Sequence, residues 1–172
     1  MLTPLLVTLA LAFDVHLTTP EHSFNPASHT LLGADLPINF ADPVSSVEVC
    51  GWFRTQSTPT SEAELAKMTS PSNSLSVRLD SSLGVKCAYS ASSTGTLGPI
   101  SASGTLWNYF SATLCESTVF LCVSSWKGTS ASCQSSGVTL SEYFTSTGSV
   151  TVGASGSFEN LSGLFSDFKL RV

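Results

Sequence analysis

Residues 46–54 read SVEVCGWFR. Successive side chains of a β-strand point to opposite faces of a sheet, so the stretch separates into two sets. The first face would carry Val47, Val49, Gly51 and Phe53, and the second Glu48, Cys50, Trp52 and Arg54. The first set carries no charge, whereas the second includes a glutamate and an arginine. The stretch therefore predicts a β-strand with one uncharged face and one face that carries both charges.

The same short, patterned runs continue along the chain. Examples are SLSVRLDSS (74–82), STVFLCVSS (117–125), VTLSEYF (138–144) and GSVTVGA (148–154), which turn residues and short polar segments separate. The run TLGPISAS (96–103) is an edge-strand candidate, because Pro99 cannot donate a backbone hydrogen bond. Short strands with frequent turns predict an antiparallel β-sandwich or barrel.

One stretch has helical character. Residues 61–64, SEAE, match the capping box that begins many helices, and Pro71 limits the length of such a helix to one or two turns. We therefore predict a helical turn near Ser61–Met68, inside a long connection.

The composition limits the classes of protein. The 172 residues fit one domain, with 42% hydrophobic but only 11% charged residues. The net charge of -5 gives no electrostatic reason to expect a nucleic acid or an anionic membrane as partner. Few charges and many hydroxyl side chains suit an all-β domain with neutral outer faces.

The N-terminus allows two interpretations. Residues 5–13, LLVTLALAF, are too few to cross a bilayer but suit the core of a signal peptide, with cleavage after Ala12. No lysine or arginine precedes the run, and it would also serve as a first β-strand. Residues 1–12 are thus either a signal peptide or part of a strand, and residues 13–172 form the domain.

Five cysteines lack the spacing of zinc or redox sites: Cys50, Cys87, Cys115, Cys122 and Cys133. In an oxidising compartment they would form two disulfides and leave one thiol, and buried free thiols are the alternative. If Lys127-Gly128 forms a two-residue hairpin loop, Cys122 falls opposite Cys133. Opposed strand residues lie within disulfide range, so this pairing is predicted.

The order of the motifs resembles one fold family. VEVCGWFR (47–54) is similar to the aromatic strand of laminin-G-like, concanavalin-A-like jelly-roll domains, and SLSVRLDSSLGVKCAYS (74–90) resembles their central hairpin. LWNYFSATLCESTVFLCVSSWKG (106–128) and SVTVGASGSFENLSGLFSDFKL (149–170) look like later strands. The resemblance covers residues 45–172 and implies a single all-β, antiparallel jelly-roll sandwich. That fold hosts lectins, adhesion modules, hydrolases and coat proteins, so it does not define a function.

The resemblance also assigns faces to particular residues. Trp52 and Trp107 match strand positions that pack in the core of the family. The closing strand would lie beside VEVCGWFR. Its inward side chains would be Leu164, Phe168, Leu170 and Val172, and its outward side chains Asp167, Lys169 and Arg171.

Catalytic chemistry has little support in the sequence. Glycan hydrolysis by this fold needs two carboxylates that face one groove, as i and i+2 strand neighbours do. Glu62 and Glu64 have that spacing but lie in the predicted connection, and Asp80 and Glu116 end their strands singly. No histidine lies within a patterned strand and no G-x-S-x-G elbow occurs, so we assign no catalytic residue.

We also predict no metal site and no cofactor. His16, Glu21 and His22 are the only histidine-containing cluster, in an unpatterned segment. Calcium sites occur in relatives of this fold, but Asp35, Asp42 and Asp167 form no recognisable ligand pattern.

Two surface features remain. Trp126 lies beside the Lys127-Gly128 turn and belongs to no alternating apolar pattern, so we expect it to be exposed and name it a candidate contact to a glycan or a partner. The alternative is that its side chain folds back over the edge of the sheet. Asn160-Leu161-Ser162 is an N-glycosylation acceptor pattern between glycines, which predicts a glycan on Asn160 if the protein is secreted.

These observations predict a secreted, disulfide-containing, lectin-like module without catalytic activity. It would bind glycans, surface proteins or other copies of itself, as an adhesion module or as a structural subunit of a surface coat or filament. A glycan hydrolase with an unrecognised acid pair is the first alternative. An intracellular β-sandwich with reduced cysteines is the second.

Overall fold

The protein is described by a computed structural model. The backbone is described for residues 15–16, 22–24, 36–38, 42–55, 58–128, 130–144, 148–152 and 163–171. Side chains are described for residues 42–55, 58–128, 130–144, 148–151 and 168–171.

Every regular element in the described residues is a β-strand. In chain order they are β1 (Val15–His16), β2 (His22–Phe24), β3 (Leu36–Ile38), β4 (Ser46–Thr55), β5 (Ala63–Thr69), β6 (Ser74–Leu79), β7 (Gly84–Ser90), β8 (Thr94–Ser101), β9 (Asn108–Cys115), β10 (Thr118–Ser125), β11 (Ser132–Gly137), β12 (Gly148–Val152) and β13 (Gly163–Arg171).

The strands form two antiparallel sheets. The seven-stranded sheet has the order β1-β13-β4-β9-β10-β11, with β2 also paired to β13, and the six-stranded sheet has the order β3-β12-β5-β6-β7-β8. Consecutive strands lie in different sheets after β2, β3, β4, β8, β11 and β12, so strands distant in sequence become neighbours. The predicted all-β, antiparallel jelly-roll sandwich is confirmed.

The core lies between the sheets and follows from alternation along the strands. In β4, Val47, Val49 and Phe53 are buried, so the uncharged face of SVEVCGWFR is the one that meets the core. Phe110 of β9 packs against both Phe53 and Phe168, with its ring centroid 6.2 Å from that of Phe53 and 5.3 Å from that of Phe168. These contacts join β4, β9 and β13 on the inner face of one sheet.

The closing strand lies beside β4, as the resemblance implied. Phe168 and Leu170 are buried, in agreement with the assigned faces, and Lys169 and Arg171 are half-buried. The side chains of Leu164, Asp167 and Val172 lie outside the described residues.

The predicted helical turn near Ser61–Met68 is wrong, because this segment contains strand β5. A register shift between Glu64 and Ala66 turns two consecutive residues, Leu65 and Ala66, toward the core. A bulge of this kind interrupts the two-residue period. The buried positions 63, 65, 66 and 68 therefore imitate the spacing of an apolar helix face, although the backbone is extended.

The predicted strand VTLSEYF (138–144) does not form a strand either. Its Val138 and Leu140 N–H groups donate to the carbonyls of Ser117 and Glu116, and Phe144 forms an isolated bridge with Val44. Val138, Leu140 and Phe144 are buried although they belong to no continuous ladder, whereas Tyr143 is exposed.

The hairpin of β10 and β11 has the register that the sequence predicted. Cys122 pairs with Cys133, and a disulfide joins them. The turn itself differs from the prediction, because Gly128 N–H donates to the Ser125 carbonyl at 2.7 Å and Lys127 has a φ of 68°. The tight turn is therefore Ser125–Gly128, with Trp126 and Lys127 at its centre.

The remaining three cysteines are free thiols, so the expectation of two disulfides is wrong for the described residues. Cys87 faces the core from β7, and burial raises its pKa to about 12. Cys50 lies on β4 in the other sheet, and Cys115 places its Sγ 3.0 Å from the Thr118 carbonyl. Burial in separate sheets keeps Cys50 and Cys87 reduced, as the alternative interpretation proposed.

Candidate functional site

Three aromatic side chains meet on the outer face of the seven-stranded sheet: Trp52, Tyr109 and Trp126. The Trp52 ring centroid lies 5.1 Å from that of Tyr109, at an interplanar angle of 55°. It lies 5.6 Å from that of Trp126, in an edge-on arrangement at 69°. Trp126 is 53% exposed, the largest exposed fraction among the large hydrophobic side chains described. We call these three residues the aromatic shelf.

Strand register brings the shelf together. Trp52 of β4 pairs with Tyr109 of β9, which in turn pairs with Ser124 of β10. Trp126 lies two residues beyond Ser124, and its N–H donates to the Trp107 carbonyl at 2.6 Å. The shelf therefore combines one residue from each of two neighbouring strands with one residue from the turn after the third.

The disulfide lies close to this turn. Cys122 is on the same outer face of β10 as Ser124, four residues before Trp126, and its bridge to Cys133 fixes the hairpin that carries the turn. Trp126 is thus held by the Trp107 backbone, by the Trp52 ring and by a cross-linked hairpin. Such restraint lowers the conformational entropy that a ligand contact would cost.

Trp52 does not pack in the core, contrary to what the resemblance implied. It is half-buried on the outer face, and Trp107, which is also only half-buried, precedes β9. Alternation along SVEVCGWFR already placed Trp52 on the same face as Glu48 and Arg54. This parity was the sequence signal that could have identified the shelf, whereas nothing in the local sequence showed that Tyr109 lies next to Trp52.

A polar cluster lies beside the shelf on the same face. The Ser111 hydroxyl donates to Glu48, and Arg171 Nη1 lies 3.4 Å from Glu48 Oε2. Burial raises the pKa of the Cys50 thiol. Burial and a hydrogen bond with Cys50 raise the pKa of Tyr109 above its ordinary value. Both groups are therefore neutral at physiological pH, and Tyr109 is an uncharged aromatic member of the shelf.

The two acids that the sequence placed in a connection lie at the beginning of a strand instead. Glu64 is on β5 and Glu62 immediately precedes it. Arg78 approaches both, with Nη1 3.3 Å from Glu62 and Nε 3.8 Å from Glu64, and Lys86 lies 3.5 Å from Glu62. Ser76 also donates to Glu64 at 2.8 Å. The spacing suits a carboxylate pair, but both carboxylates already have cationic partners.

The single acids Asp80 and Glu116 have structural partners. Asp80 Oδ1 accepts hydrogen bonds from the N–H groups of Ser82 and Gly84 at 2.8 Å each, and its Oδ2 lies 3.1 Å from Lys86 Nζ. Partial burial opposes ionisation, but these hydrogen bonds dominate and lower the pKa of the Asp80 carboxyl. Asp80 thus closes the turn between β6 and β7. The exposed Glu116 accepts a hydrogen bond from Tyr143.

Among the residues that the structure describes, no group of three or more histidine, cysteine or acidic side chains could hold a metal ion. Asp42 is exposed. The side chains of His16, His22, Asp35 and Asp167 are outside the described set, as is Glu21.

Two sequence predictions lie outside the described residues. The first is the signal peptide or strand predicted for residues 1–12, and the second is the glycan predicted on Asn160. In the described part of the chain no helix has the length and apolar character needed to cross a membrane.

No family model matches the chain, and no curated protein matches it. Solved structures do. The binding domain of botulinum neurotoxin DC in complex with SialylT matches at a TM-score of 0.51 and 10% identity, over 74% of this chain and 32% of that chain. A structure of botulinum neurotoxin type C, whose cell entry depends on interaction with two ganglioside molecules, also matches at a TM-score of 0.51 and 10% identity. It too is matched over 74% of this chain and 32% of that chain.

A xylan beta-1,4-xylosidase from Bacillus halodurans matches at a TM-score of 0.54 and 8% identity, over 80% of this chain and 32% of that chain. The chain spans about a third of the length of these proteins. At such low identity the likeness shows the fold, which is a concanavalin-A-like jelly roll. It does not single out the laminin-G-like domains that the sequence motifs resemble.

Proposed function

We propose that this domain is a non-catalytic, lectin-like module that binds glycans through the aromatic shelf. The observation that carries the proposal is the restrained, exposed indole of Trp126 next to Trp52 and Tyr109. Aromatic side chains offer a large, rigid apolar surface at low entropic cost, and they dominate many binding sites. A sugar ring presents a flat set of C–H groups that such a surface complements.

Two further observations support a glycan ligand. Hydroxyl and basic groups suited to sugar oxygens flank the shelf, since Ser124 pairs with Tyr109 and the exposed Arg54 and Lys127 follow Trp52 and Trp126 in sequence. Among proteins of this fold, the matched toxin of type C interacts with gangliosides. Carbohydrate binding is thus a known use of the architecture.

The test is a titration against a panel of neutral and sialylated oligosaccharides, with indole fluorescence as the signal. We expect Trp126→Ala to weaken binding by at least about tenfold, because truncation of a central aromatic contact commonly costs about 2 kcal/mol or more. Phe120→Ala is the matched control, since Phe120 is a 42% exposed aromatic on the same outer face but outside the shelf. Equal affinity of Trp126→Ala and wild type would refute the site.

The proposal includes an extracellular location. The Cys122–Cys133 disulfide supports it, because such bonds persist mainly in oxidising compartments. Mass spectrometry of the native protein under non-reducing conditions, with sequencing of its N-terminus, tests the location. An unprocessed Met1 together with free thiols at both cysteines would indicate the intracellular alternative.

A glycan hydrolase is the second candidate, and one arrangement favours it. Glu62 and Glu64 lie two residues apart where β5 begins, and about a third of a xylosidase chain matches this fold. The ion pairs with Arg78 and Lys86 oppose it, since they occupy the carboxylates that a general acid and a nucleophile would need free. If hydrolysis of any panel glycan is detected and the Glu62→Gln/Glu64→Gln variant abolishes it, the non-catalytic proposal is wrong.

A further inference from the structure

Strand β11 forms one end of the seven-stranded sheet. On one side it pairs with β10, from Thr118↔Gly137 to Val123↔Ser132. On the other side no strand lies beside it in the described part of the chain, and five of its six residues are exposed. A strand paired on one side presents unpaired backbone N–H and C=O groups on the other, so it can accept a further strand.

The neighbouring edge of the other sheet is closed to such pairing. Strand β8 ends the six-stranded sheet and contacts β11. Its Pro99 has no N–H group, and its Gly98 has a φ of 98°, which interrupts the extended backbone. Gln134 of β11 accepts the Gly98 N–H at 2.7 Å. β8 therefore has the protection that natural edge strands use against pairing.

β11 has no comparable protection. Residues 130–139, SASCQSSGVT, contain no charged residue and no proline. Lysine, proline and bulges are the usual means of blocking an exposed edge. When two identical antiparallel strands pair about a two-fold axis, residue i lies opposite residue j and j opposite i, and a residue close to the axis lies near its own copy, so a charge there would be repelled. Ten consecutive uncharged residues remove that obstacle, and this favours a second copy of the chain over a charged partner.

The edge is also preorganised. The disulfide between Cys122 and Cys133 joins β11 to β10, so the strand does not have to order before it pairs. Phe120 of β10, which lies opposite Ser135, leaves 42% of its surface exposed one strand away. A paired copy would cover part of this apolar surface.

We infer that β11 pairs antiparallel with β11 of a second copy, so that the seven-stranded sheets of two domains become continuous. One strand pair is smaller than a standard stable interface, so the dimer forms in a concentration-dependent way. The inference rests on the edge and is independent of the aromatic shelf.

Sedimentation velocity over a range of protein concentrations, without glycan, tests the pairing. We expect wild type to pass from monomer to dimer as concentration rises. Ser135 is one of the two central residues of β11, so it would lie close to the two-fold axis. Ser135→Lys and Ser135→Glu should therefore each weaken dimerisation by at least about tenfold, because like charges would meet there. An equimolar mixture of the two variants should restore the dimer. This restoration separates a lost interface from a misfolded chain.

Thr96→Lys is the matched control, since it adds the same charge at an exposed position of β8. We expect it to dimerise like wild type. The inference is overturned if wild type stays monomeric at all concentrations, which would leave the edge to a different partner. It is also overturned if Ser135→Lys dimerises normally, if Thr96→Lys is equally defective, or if the mixed variants remain monomeric.

Discussion

Gly51 of β4 lies against the Phe168 ring of β13, and this contact gives a quantitative prediction for Gly51→Ala. A Cβ at this position would lie 2.6, 2.8 and 3.0 Å from Cδ2, Cγ and Cε2 of Phe168. Carbon atoms in contact prefer about 3.5–4.0 Å, so the ring would have to move by about 1 Å. Phe168 is fully buried and lies edge-on against Phe110 at 5.3 Å, which resists such a shift.

Overpacking of a core costs about 1–3 kcal/mol, and replacing a strand glycine by alanine recovers about 0.5–1 kcal/mol. We therefore expect Gly51→Ala to lower the free energy of unfolding by about 1–2 kcal/mol in a urea titration. Gly137→Ala is the matched control, because a Cβ there meets nothing within 4 Å. It should leave stability unchanged or raise it by up to about 1 kcal/mol.

A double-mutant cycle identifies the cause. Phe168→Ala alone should cost about 3–5 kcal/mol, the usual effect of truncating a buried phenylalanine. With the ring absent, Gly51→Ala should cost nothing further, since the added methyl group then enters the space that the ring leaves. If Gly51→Ala destabilises equally in both backgrounds, or is as stable as Gly137→Ala, the contact with Phe168 is not the reason for the glycine.

Three other features of the chain can be tested singly. Asp80→Asn should lower the free energy of unfolding by about 1–2 kcal/mol at pH 7, because the amide accepts weaker hydrogen bonds from the turn. The pKa of Asp80 is lowered in the folded state, so this difference between variant and wild type should be fully present above the unfolded pKa of 3.8 and disappear as pH falls through the folded pKa. Reduction of Cys122–Cys133, which are 11 residues apart, should lower the unfolding free energy by about 2–3 kcal/mol in matched urea titrations with and without reductant. Enzymatic removal of N-glycans from the natively expressed protein should lower its intact mass, and Asn160→Gln should abolish that shift; no shift would contradict glycosylation of Asn160.

Features that depend on local periodicity could be predicted from the amino-acid sequence. Alternation in SVEVCGWFR placed Val47 and Val49 together on one face, because a strand turns successive side chains to opposite faces whatever its neighbours are, and the structure has both residues buried. The Cys122–Cys133 register was predicted from the positions of residues around one turn, since hairpin partners are set by the loop that joins them.

Features that depend on neighbours distant in the chain required the folded structure. The bulge between Glu64 and Ala66 exists in the pairing of β5 with β6, and a single strand read alone shows only the helix-like spacing that the bulge produces. The aromatic shelf likewise depends on pairing, because Trp52 and Tyr109 are 57 positions apart in the chain and meet only when β4 lies beside β9. Local sequence encodes which face a side chain takes, but non-local strand order selects the side chains that share that face, and the candidate site consists of such side chains.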